Sequence, residues 1–103
     1  MAAHDRLRVP FDAQRLAQIC QAYSIRRLSV FGSALREDFS PTSDIDLLVV
    51  FEPEAALGFR VLELESELSD LFGGRKVDLV REAYLNRHVR PYVLSSSETL
   101  YAA

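Results

Sequence analysis

This sequence has almost nothing that could serve as a covalent staple, a membrane span or a basic grip. Its one cysteine, Cys20, excludes an internal disulfide and fits a reducing cytoplasm. The longest apolar run, Ile45 to Phe51, is interrupted by Asp46 and falls far short of the roughly 20 residues that cross a bilayer. The opening residues, MAAHDRLRVPF, have no apolar region of the kind a secretion signal requires. A formal net charge of -3 and a pI near 5.3 leave no excess of cations for gripping a phosphate backbone, so direct nucleic-acid binding is not expected. Internal repeats, linkers and low-complexity tracts are also absent.

What remains is ordinary globular material. The 103 residues, 49% hydrophobic and 26% charged, can bury one core. They are too few for a core plus a separate substrate domain. The expectation is a single domain over residues 1–103, with anything further supplied by a partner.

Apolar periodicity divides the chain. Leu16, Ile19, Cys20 and Tyr23 recur at helical spacing, predicting a helix over Phe11 to Tyr23 capped by Asp12, with Phe11 packing on Leu16 as a staple. Ile25 to Phe31 (IRRLSVF) reads as a strand stopped by Gly32 and Ser33. A short helix or turn is expected between Ser33 and Phe39, then a loop at Ser40 to Ser43. The second strand runs from about Asp44 to Phe51 and is apolar on both sides away from its start, which predicts a central position. A helix from about Leu57 to Phe72 turns Leu57, Val61, Leu64, Leu68, Leu71 and Phe72 inward and Glu63, Glu65, Ser66, Glu67 and Asp70 to water. Gly73 and Gly74 stop it. Lys76 to Arg81 (KVDLVR) is a third strand, followed by a helix around Leu85 to Leu94, kinked or started near Pro91, and a short tail. This order predicts an α/β (α+β) fold: a small mixed β-sheet flanked by helices.

The chemistry centres on acidic residues in apolar strands. Asp44 and Asp46 share a strand face, with Cα atoms about 6 to 7 Å apart. Burying two bare carboxylates side by side is costly. A hard divalent cation such as Mg2+, which takes oxygen ligands and keeps positions for water and phosphate, removes that cost. Gly32-Ser33, at the end of the preceding strand, can offer backbone N–H groups and a hydroxyl to a triphosphate, although Gly-Ser after a strand also makes a plain turn. Asp78 places a third carboxylate on a neighbouring strand.

The segment GSALREDFSPTSDIDLLV, in which ten residues separate Gly32-Ser33 from Asp44-Ile45-Asp46, resembles the signature of the DNA polymerase β-like nucleotidyltransferase superfamily. With the later KVDLV and the small size, it resembles the minimal nucleotidyltransferase family in particular. Members often act as antitoxins paired with HEPN-domain toxins. The resemblance implies that Gly32 and Ser33 hold the β- and γ-phosphates of a nucleoside triphosphate, that Asp44 and Asp46 bind two Mg2+ ions, and that Asp78 helps hold one metal and can draw the proton from the attacking hydroxyl. Arg36 matches an arginine placed near the phosphates. Where members commonly carry glycine after that arginine, this chain has Glu37.

The activity so implied is transfer of AMP from ATP to a hydroxyl, a tyrosine of a HEPN toxin; exposed edge strands and the tyrosine-rich C-terminus would permit a homodimer or a hetero-assembly with the toxin. Two other readings stand beside it: a non-catalytic antitoxin that occludes its toxin, kept open by Glu37, and a transferase acting on a small hydroxylated molecule of the aminoglycoside type. Cys20, on an apolar helix stripe, reads as core. His4 falls in the terminus, and His88 on a solvated basic face with Arg87 and Arg90. Tyr84, Tyr92 and Tyr101 divide between core and interface in a way the sequence does not separate.

Overall fold

The computed structural model describes residues 10–32 and 44–103. The expected short helix after Ser33, and the loop Ser40 to Ser43, lie outside them. Helix α1 (Ala13–Ala22) starts where predicted, because the Asp12 carboxylate accepts hydrogen bonds from the backbone N–H of Gln14 at 3.0 Å and Arg15 at 3.2 Å. These satisfy donors that the first helical turn leaves open. Strands β1 (Ile25–Phe31) and β2 (Ile45–Phe51) follow, then α2 (Arg60–Leu71) and β3 (Val77–Arg81). Helix α2 ends at Gly73 and Gly74, whose φ angles of 78° and 86° suit glycine and let the Gly74 N–H return to the Ser69 carbonyl at 2.8 Å.

The sheet order is β3-β2-β1-β4. Strand β1 runs antiparallel to both neighbours, whereas β2 and β3 are parallel. Parallel neighbours require a crossover, and α2 supplies it. The predicted mixed α/β sheet and the inner position of β2 are therefore borne out. Leu28, Val30, Ile45, Leu47 and Val49 of the sheet meet Leu16, Ile19 and Cys20 of α1 and Leu64 and Leu68 of α2 in one buried core. Both helices thus cover the same sheet face.

After β3 the helix expected around Leu85 to Leu94 is shorter, and it starts near Pro91, one of the two expected alternatives. Glu82–Tyr84 forms a 3-10 turn, and α3 is confined to Arg90–Ser96 with Pro91 in its first turn. Proline in the first turn forfeits no helical hydrogen bond, whereas farther inside it would. The residues expected to be a tail are strand β4 (Glu98–Ala102), paired antiparallel with β1. The Phe11 and Phe72 rings meet at 5.5 Å, tilted by 60°, so the contact at the start of α1 reaches across to the end of α2. Among the described residues, no helix is long and apolar enough to cross a membrane.

Candidate active site

Alternation along β2 separates two chemistries. Ile45, Leu47 and Val49 point into the core, so Asp46, Leu48 and Val50 point to the other face. The parallel ladder puts Ile45 opposite Val77 and Asp46 opposite Asp78. Val77 belongs to the core, which leaves Asp78 on the outer face beside Asp46. Adjacent strands lie about 4.8 Å apart, so the register sets two carboxylates next to each other. Asp46 is half-buried and Asp78 exposed.

On its other side Asp46 pairs with Phe31 of β1, and the next residue is Gly32. A Cβ built on Gly32 would lie 2.5 Å from Asp46 Oδ2. The carboxylate therefore occupies space that any larger residue at position 32 would fill. Gly32 also has φ +77°, where L side chains are strained. Glycine is required there twice, once for backbone and once for room.

Of the predicted site residues, Gly32, Asp46 and Asp78 are brought together by strand register. Asp44 stands just before β2 and is half-buried. Ser33, Arg36 and Glu37 lie outside the described residues. The donor set suits a hard divalent cation, which prefers carboxylate oxygens, and the Gly32 cradle leaves one such oxygen room. Among the described residues, no three His, Cys, Asp or Glu side chains already stand as a metal-holding cluster, so Asp44, Asp46 and Asp78 are not a preformed three-ligand cage. Cys20 is fully buried, and burial pushes its thiol up to about 12. That rules out a nucleophilic thiolate at neutral pH. His88 is exposed, and His4 lies outside the described residues.

Sequence reasoning missed a second polar cluster. Arg27 of β1 pairs with the Glu82 carboxylate, and Arg90 donates to the Glu82 carbonyl at 3.2 Å and the Ala83 carbonyl at 3.5 Å. Arg27 lies 55 positions from Glu82, so no local spacing could announce the pairing.

Residues 14–103 match the family described as polymerase beta, nucleotidyltransferase. The chain belongs to this nucleotidyltransferase family. It is 40% identical over 79 residues to a Methanocaldococcus jannaschii protein assigned as a protein adenylyltransferase, covering 76% of this chain and 74% of that one. It is 36% identical over 77 residues to the protein adenylyltransferase MntA of Thermococcus cleftensis, covering 75% and 76%. Its fold is like that of a chain in a toxin-antitoxin crystal structure with AMP-PNP, with a TM-score of 0.68 at 19% identity over 89% of this chain and 74% of that one. A complex of a tri-AMPylated Shewanella oneidensis HEPN toxin with its MNT antitoxin also shares the fold, with a TM-score of 0.60 at 19% identity over 88% and 70%.

Proposed function

We propose that this nucleotidyltransferase is an antitoxin that moves the AMP of ATP onto a tyrosine hydroxyl of a HEPN-type toxin and so neutralises it in the cytoplasm. The observation that carries the reading is the placement of Asp46 between Gly32 and Asp78, at the junction of β1, β2 and β3. The adenylyltransferase relatives support the reaction, and the toxin complexes of like fold support the partner.

In this reading the acceptor oxygen attacks the α-phosphorus of ATP. The bond from that phosphorus to the bridging oxygen breaks, and pyrophosphate leaves with the electron pair. Asp44 and Asp46 would hold two Mg2+ ions, with Asp78 helping to hold one. When bound, Mg2+ offsets negative charge on the attacking and leaving oxygens. Asp78, on the exposed side of the pair, takes the hydroxyl proton. Gly32 and Ser33 position the β- and γ-phosphates, and Arg36 offers its guanidinium to them. The acceptor is too large to be enclosed by one small sheet, so the partner's own surface completes the pocket.

The test is incubation of the protein with ATP, Mg2+ and its partner toxin, followed by mass spectrometry of the toxin. One or more adenylyl additions are expected, with none for Asp46→Asn. Loss of the proton acceptor in Asp78→Asn should slow transfer by about a hundred- to ten-thousandfold. Unmodified toxin that is nonetheless neutralised, by Asp46→Asn as well as by the wild type, would replace catalysis with occlusion.

A further inference from the structure

At the end of β2 away from the carboxylates, two adjoining clefts of about 390 and 350 Å³ share Val50 and Glu82 as lining residues. Val50 lies on the same face of β2 as Asp46, four residues and therefore about 13 Å farther along the strand. Arg81 and Arg90 line the first cleft, and Arg26 and Arg27 the second. The one acidic residue among the described lining is Glu82, and its carboxylate is already paired with Arg27. A chain of net charge -3 thus gathers four arginines against one glutamate at a single end of its sheet.

Every one of these cations is arginine, whose planar guanidinium both stacks on rings and grips phosphate oxygens in pairs. The Arg81 guanidinium lies 4.9 Å from the centre of the Phe51 ring and 5.6 Å from that of Tyr84. Tyr84 is 77% exposed, so most of its ring is open to a further planar group. The Arg90 Nε is buried without a hydrogen-bond partner, so this side chain is held in the groove wall with unspent donor capacity. The Arg27, Glu82 and Arg90 ties brace the groove, and Arg81, Tyr84 and Arg26 are its exposed contacts.

We infer that this groove binds a short single-stranded oligonucleotide, with a base stacked on Tyr84 and Arg81 and phosphates held by the arginines. The combination of a cationic track with an exposed aromatic platform is how single strands are held without sequence readout. Local concentration of charge overrides the acidic total, which argued against any nucleic-acid contact. An acidic peptide would use the same cations but would gain nothing from the tyrosine ring.

The test is fluorescence anisotropy of the full chain with a labelled single-stranded adenylate oligomer of about four nucleotides, in EDTA so that no metal bridges it to the carboxylates. Binding should weaken about tenfold in Tyr84→Ala, an exposed position whose loss should leave the thermal melt unchanged. It should also fall about tenfold between 50 and 200 mM salt, and Asp46→Asn should bind as the wild type does. No binding would overturn the proposal. So would indifference to Tyr84→Ala with equal displacement by a polyglutamate peptide, which would make the groove an acidic-peptide site. Loss of binding in Asp46→Asn but not in Tyr84→Ala would place the oligomer at the carboxylates instead.

Discussion

Single residues carry two kinds of constraint in this molecule, and Gly32 bears both. Gly32→Ala must force a methyl toward Asp46 Oδ2 and hold an alanine at positive φ, which costs about 1–2 kcal/mol from the backbone alone. Urea titration should show that loss, and adenylyl transfer should fall further than stability does if the displaced carboxylate acts in the proposed site. Cys20 and Tyr23 make a second residue-scale prediction. The Tyr23 hydroxyl donates to the Glu67 carboxylate, and this bond, then burial, raises its pKa above the usual 10.0. Cys20 is raised from 9.0 to about 12 by burial. In the unfolded chain both groups lose protons at lower pH than in the folded one. Their stabilising effect is therefore complete below about pH 9 and declines as pH rises toward 12. The urea midpoint should drop across that range, and Tyr23→Phe should flatten part of the drop.

At the level of elements, the local signals that worked were those with a local cause. Asp12 caps α1 through bonds to residues two and three positions on, so spacing alone could find it; Asp12→Ala should cost about 1 kcal/mol in a denaturant titration. Strands β1 and β2 were legible because β-branched, aromatic and other apolar residues crowd into short runs bounded by turn formers, and α2 because its stripe and its two terminal glycines agree. Strand β4 was not legible. Its five residues, ETLYA, follow three serines and acquire strand form by pairing with β1, a contact made about 70 positions away. Of the two readings of the helix before it, the start near Pro91 is the one observed; the stretch from Leu85 stays out of the helix, where the Asn86 side chain accepts from the His88 N–H at 2.7 Å in a turn of its own. The Asp46–Asp78 pairing was half legible: spacing gave the acidic residues, but only register across β2 and β3 shows which two are neighbours.

For the whole molecule, the decisive fact is that the last strand closes the side of the sheet next to the first. Leu100 and Tyr101 pack against the core, and β4 completes the backbone ladder of β1. Removing residues 98–103 should strip that edge and expose core side chains together, so the shortened protein should lose its sharp cooperative melt by circular dichroism while Asp46 and Asp78 keep their sequence. Charge is likewise organised globally, with acidic side chains on the exposed face of α2 and arginines gathered around Val50 and Glu82.

The strand order also sets a gradient of backbone protection. Strand β3 has a neighbour on one side only among the described strands, so amides that point away from β2 lack a ladder partner and should exchange with deuterium well before those of β1. Asp78 is thus mounted on an edge strand of the sheet, and Asp46 on an inner one. Docking of another protein along that rim would slow the exchange and steady the outer acid, making assembly itself a way to tune the chemistry.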